Sequence, residues 1–155
     1  DRPELLDHLD EIVFSLDAVT PEINDRIRGA GTHAQVVAAI DLHQDCITPN
    51  VGPASYAYAF PPLAVYAPIV ARVRSMVPIM ANAHIDAGYD GAAHVSDANG
   101  LLVRHDGSFS DLMHRLGAKH SIAVETTGAT PLDVACEVNL AWIEGVVALC
   151  AAVTA

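Results

Sequence analysis

The sequence predicts an α/β domain with a mixed, largely parallel sheet flanked by helices. Three observations carry that prediction. Short apolar runs rich in β-branched residues, VVAAI at 36–40 and SIAV at 121–124, alternate with longer stretches whose apolar residues recur every three or four positions. The apolar fraction is 52%, charged residues are 17% and mean hydropathy is +0.30, which excludes a disordered chain and suits buried strands. The 155 residues, read as a single domain over 1–155, suffice for a real core.

The elements follow in order. Pro3 to about Leu16 reads as an amphipathic helix, with Leu5, Leu6, Leu9, Ile12, Val13 and Leu16 on one side and Pro3 in the first turn. Ala34–Leu42 is a short apolar run ending in acids, hence a buried strand. Residues 44–62 hold four prolines, Gly52 and the aromatic group Tyr56, Tyr58 and Phe60, and read as a long loop. Leu63 to about Met76 is a second helix with Pro68 near its start. Residues 81–100, rich in Gly, Asp, Asn and Ala, read as loop with a short strand, and Leu101–Val103 as another short strand. Asp106-Gly107-Ser108 is a turn, Ser110 an N-cap for a helix over Asp111–Leu116, and Gly117 its stop. His120–Val124 is a strand. Pro131 opens a helix reaching about Val153, with Leu132, Ala135, Cys136, Leu140, Ile143, Val146, Val147 and Cys150 on its apolar side.

Charge and cysteine use exclude several function classes. A net charge of −11 disfavours nucleic acid or an anionic membrane as partner, because little neutralises phosphate. No run reaches about 18 apolar residues free of charge, so no membrane span is expected. Cys46, Cys136 and Cys150 lack CxxC spacing and read as free thiols in a reducing, cytoplasmic compartment, with Cys136 and Cys150 as small buried hydrophobes.

Chemistry concentrates at two strand ends. One apolar strand runs into Asp41-Leu42-His43-Gln44-Asp45, and another into Glu125. In open α/β sheets the carboxyl ends of strands form the ligand crevice. An imidazole and a carboxylate delivered there suit a hydrolytic metal site, the imidazole as ligand and the carboxylate as general base on the attacking water. Polar residues at solvated strand ends are the plainer alternative.

The block GSFSDLMHRLGAKHSIAVE, 107–125, resembles the C-terminal part of the catalytic domain of M14-type zinc carboxypeptidases. In that family a Gly-Ser turn and an aspartate lead a short helix, then a glycine and a strand ending on the catalytic glutamate. Ile40-Asp41-Leu42-His43 resembles the strand carrying the third zinc ligand, and the form Asp-Leu-His is closer to the succinylglutamate desuccinylase and aspartoacylase branch. The resemblance covers roughly residues 35–145. It implies that His43 is a zinc ligand and Glu125 the general base and acid. It fixes no role for Asp41 or Asp45, either of which could accept from the other ring nitrogen of His43 or simply lie at a solvated strand end.

The resemblance also shows gaps. The family has a His-x-x-Glu pair upstream, and the one present, His8-Leu9-Asp10-Glu11, lies only 35 residues before His43 on the polar side of a helix. The chain therefore reads as the C-terminal portion of a longer hydrolase domain, incomplete at its N-terminus. Otherwise His33, His84, His94 or His105 would have to complete an unusual site. Leu102-Val103-Arg104-His105 stands where the family carries a tyrosine, for which Tyr89 is a replacement candidate. Arg104 is a candidate clamp for a substrate carboxylate or oxyanion, and a surface arginine is the alternative.

The expected function is zinc-dependent amide hydrolysis on a small acylated amino acid or peptide end, of metallocarboxypeptidase or N-acyl amino acid deacylase type. The expected partners are that substrate and either the missing N-terminal half or another protein chain. The alternatives are a non-catalytic or degenerate α/β subunit that works by association, and a metal-free enzyme using histidines as acid–base groups.

Overall fold

The computed structural model describes residues 38–45, 52–85 and 94–153. All of them belong to one compact unit, Val37–Ala155. The helix expected over 3–16, with His8 and Glu11, lies outside the described residues, as do His33, Cys46 and Tyr89.

In chain order the elements are β1 (Ala38–Asp45), β2 (Ser55–Ala59), a 3₁₀ turn (Leu63–Tyr66), α1 (Ala67–Arg74), β3 (His84–Ile85), β4 (His94–Val95), β5 (Leu101–Leu102), α2 (Phe109–Arg115), β6 (His120–Thr127) and α3 (Leu132–Val153). The main sheet has the order β1-β6-β2-β5. β1 runs parallel to β6 and β2 parallel to β5, while β2 and β6 are antiparallel. The sheet is thus mixed and mostly parallel, and helices flank it. β3 and β4 form a separate antiparallel ladder.

Strand alternation puts the main core on one sheet face, and a smaller cluster of Tyr56, Ile85 and Leu102 on the other. Ile40, Leu42, Ile122, Val124, Ala57, Ala59 and Leu101 point together and meet Ile69, Val70 and Val73 of α1 and Val138, Trp142 and Val146 of α3. Full burial of each larger side chain contributes roughly 1.5–3 kcal/mol.

Several expectations need correction. Residues 44–62 are not all loop: Ser55–Ala59 is a central strand. Its sequence SYAYA alternates, but the surrounding prolines masked that signal. β1 and β6 run past Leu42 and Val124, because their ladder continues through Asp45 and Thr127. Helix α2 starts two residues earlier than expected, since Ser108 and not Ser110 is the cap, its hydroxyl accepting from the Asp111 N–H. The stretch from Leu63 is a 3₁₀ turn followed by α1, with Pro68 in the first turn of α1.

Helix α3 also differs in its facing. Its buried stripe is Ala135, Val138, Ala141, Trp142 and Val146, whereas Leu132, Leu140 and Val147 are 71%, 51% and 61% exposed. Cys136 is exposed and not a buried hydrophobe. Apolar residues occur on both sides of this helix, so periodicity alone does not choose the inward one. Contrary to expectation, α3 is long and apolar enough, by length and composition, to cross a membrane. Its inner stripe packs on the sheet as a core helix does.

Candidate active site

Setting Ile40 and Leu42 into the core turns Asp41 and His43 to the opposite face, and setting Ile122 and Val124 there does the same for Ala123 and Glu125. The register pairs Leu42 with Val124 and His43 with Glu125. On its other side Glu125 is paired with Tyr56 of β2. Directly opposite residues share a face, so His43, Glu125 and Tyr56 form one row across three strands. The next row holds Asp41, Ala123 and Tyr58, with Leu102 beyond. A slip of one residue would send both rows into the core.

The row lies inside the ladder rather than at bare strand ends. Beyond it Gln44 pairs with Thr126 and Asp45 with Thr127. The Gln44 side-chain amide donates to the Thr130 carbonyl at 2.8 Å. The Thr127 hydroxyl donates to the Gly52 carbonyl at 2.9 Å and accepts from the Ala54 N–H at 3.1 Å. The Ser55 hydroxyl donates to the Glu125 carbonyl at 2.9 Å. These bonds tie β1, β2 and β6 together beside the row and hold its spacing.

Charges on this face interact. His43 Nε2 lies 2.8 Å from Asp41 Oδ2. Partial burial alone would lower the His43 pKa, but the Asp41 hydrogen bond and the charges of Glu125 and Asp41 outweigh it and raise it above the ordinary value. Burial pushes the Tyr58 phenol up, with Glu125 adding to the effect and Arg104 pulling against it. Tyr56 and Tyr58 meet edge to face at 5.7 Å. The Arg104 guanidinium sits 5.8 Å from the Tyr58 ring centre, and its Nε is 3.1 Å from Asp106 Oδ2. Arg104 therefore lies beside Tyr58, one row along the strands from Glu125.

No protein-family model and no curated protein matches this sequence. In three dimensions the chain is similar to the putative metallopeptidase of Shewanella baltica OS155, with a TM-score of 0.60 and 21% identity over 88% of this chain and 53% of that one. It is also similar to a putative metallopeptidase of Shewanella denitrificans OS217, with a TM-score of 0.53 and 16% identity over 89% of this chain and 50% of that one. The fold is metallopeptidase-like. The chain spans about half the length of each of these structures.

The metallopeptidase-like fold raises the question of a metal. Among the described residues no group of three His, Cys, Asp or Glu side chains is arranged to hold one. His84 and His94 sit in the β3–β4 ladder, and His105 turns toward Asp111. A catalytic zinc usually takes three protein ligands. Among the described residues, this face offers one imidazole, His43, with the Glu125 carboxylate beside it.

The Gly-Ser turn, short helix, glycine and strand expected from the sequence occur in that order. Gly117 has φ +93°, which ends α2 as glycine permits. Tyr56 and Tyr58 were missed from the sequence because their segment read as loop. Tyr–Ala alternation was the signal that would have placed them on one face.

Proposed function

We propose that this chain carries the acid–base part of a metal-dependent hydrolase centre acting on amide bonds, of metallocarboxypeptidase or succinylglutamate desuccinylase–aspartoacylase type. The in-register pairing of His43 with Glu125 carries this reading. His43 is the protein ligand this face contributes, and zinc is the metal that best suits imidazole with carboxylate. Further ligands come from outside the described residues. A bound metal polarises the amide carbonyl and acidifies water.

The chain's own groups do the rest. Asp41 occupies Nε2 of His43, which leaves Nδ1 as the ligating nitrogen and matches the usual pairing of a carboxylate with a metal-bound imidazole. Glu125 takes a proton from the attacking water and returns it to the leaving nitrogen, so that one amide and one water become an acid and an amine. Arg104 pairs with the substrate carboxylate or the developing oxyanion, and the Tyr58 ring beneath keeps its guanidinium in place. The substrate class is a small acylated amino acid or a peptide end.

Metal content and turnover together test the reading. Purified protein should carry zinc that is lost in His43→Ala. Glu125→Gln should keep the metal and lose hydrolysis of a panel of N-acyl amino acids and short peptides. Full activity in Glu125→Gln would remove the proposed base.

A second reading, association with another polypeptide, is favoured by the exposed stripe Leu132, Leu140 and Val147 on α3. Its occupant would be protein equivalent to the half of the metallopeptidase-like structures that this chain does not span. Leu140→Glu with Val147→Glu should then abolish co-purification of that protein without lowering Tm.

A further inference from the structure

Away from His43 and Glu125, a second group of chemically able side chains gathers around Phe60. The Phe60 ring is buried and stacks on His114 of α2 at 4.2 Å, with the planes 9° apart. His105 packs on the same ring at 5.3 Å, and the two imidazoles are 6.1 Å apart between centres. Phe60 thus fixes two histidines from different segments side by side.

Asp111 decides which nitrogen His105 presents. Its carboxylate is wholly buried and accepts from the Gly107 N–H at 2.8 Å and from Arg115. It also lies 2.9 Å from His105 Nδ1. Arg115 and these hydrogen bonds hold the Asp111 carboxyl well below the usual carboxylate range, so it stays ionised and can only accept. Nδ1 of His105 is therefore the protonated nitrogen, and in the neutral ring Nε2 carries the lone pair. The His105 side chain is 60% exposed. Among the described residues, no hydrogen bond occupies the ring nitrogens of His114.

We infer that His105 and His114 form a two-histidine site for a borderline divalent ion such as Zn²⁺, with Asp111 as the positioning residue for His105. The spacing suits it. With metal–nitrogen bonds of about 2.0–2.1 Å, two imidazoles on one ion have ring centres roughly 5–6 Å apart. The observed 6.1 Å lies at the edge of that range. A buried carboxylate on one nitrogen and an ion on the other is the arrangement that fixes tautomer and raises ligand basicity. Solvent or a carboxylate-bearing solute fills the remaining positions. Because Phe60 follows Ala59 on β2, and Ser121 beneath α2 donates to the Ser110 carbonyl at 2.6 Å, the site shares its sheet face with Glu125 and lies toward the other end of β6.

This site is independent of the proposed hydrolase centre, and its test removes that centre first. Zn²⁺ alone is titrated calorimetrically into the 155-residue chain carrying His43→Ala. One equivalent should bind, and His105→Ala or His114→Ala should each weaken binding at least tenfold. Asp111→Asn should weaken it by about 10- to 100-fold. Should that variant melt early, histidine side-chain NMR of the His43→Ala chain decides instead, because Zn²⁺ should shift His105 and His114 together and leave His120 in place. Absence of saturable binding, or binding that survives the His105→Ala/His114→Ala double substitution, overturns the site. Neither result bears on Glu125 turnover.

Discussion

His43 and Glu125 are direct cross-strand partners on the parallel strands β1 and β6, with Tyr56 next in the same row. Eighty-two positions apart in the chain, they are neighbours because Leu42 and Val124 beside them are drawn into one core.

If Glu125 is the base, replacing it by Gln keeps its shape and removes its proton affinity. Turnover should fall by about 10²- to 10⁴-fold. Thermal melting should be nearly unchanged, because the carboxylate is only partly buried and no core contact is lost. Steady-state kinetics beside a melting curve separates loss of chemistry from loss of fold.

Gly145 lies where α3 crosses α1. A Cβ there would meet Ile69 Cγ1 at 2.5 Å and Cδ1 at 2.6 Å. Overpacking of this kind costs about 1–3 kcal/mol, outweighing the helix-propensity gain of about 1 kcal/mol. Gly145→Ala should therefore lower Tm, by roughly 2–4 °C per net kcal/mol. Combining it with Ile69→Ala should recover part of the loss, which a double-mutant cycle by calorimetry would measure.

Acid sensitivity should trace to Asp111. Its folded pKa is depressed, first by the Arg115 hydrogen bond, then by those from His105 and Gly107, working against burial. A depressed carboxylate contributes stability that is complete above its unfolded value of about 3.9 and is lost as pH falls through the lower folded value. Tm should therefore drop steeply below about pH 4. In Asp111→Asn that acid limb should flatten, from a Tm at neutral pH lower by roughly 5 °C or more. Melting curves across pH 2–7 compare the two slopes.

Tyr66 hydroxyl and His120 Nδ1 are 3.2 Å apart in the core, at the start of β6. Burial pushes the Tyr66 phenol up to about 12 and the His120 imidazole down, so both are neutral at pH 7. Tyr66→Phe removes the bond and leaves a buried ring nitrogen unpaired, which costs about 1–3 kcal/mol. His120→Leu in the same chain should recover most of it, since two apolar partners leave nothing unsatisfied. Urea denaturation of the single and double variants beside the parent chain gives the comparison.

Much of this molecule was readable before folding. The apolar runs at 38–42 and 120–124, the turn at Gly107, the stop at Gly117 and the C-terminal helix all carry local signals, because propensity and periodicity act over a few residues. His43, Glu125 and Arg104 stood out by residue type after an apolar run. β2 did not, since its partners in the register all come from β6 and β5 and its flanks are proline-rich. The inward side of α3 was equally hidden, because both sides are apolar and only the sheet chooses between them.

The sequence by itself determined the class of fold and singled out the two residues of the proposed site, since both follow from short-range pattern. Tertiary structure alone decided that His43 faces Glu125, that Tyr56 and Tyr58 join their face, and that His105 and His114 meet over Phe60. Those are consequences of strand register and of helix packing, and register is chosen by which side chains fit one shared core.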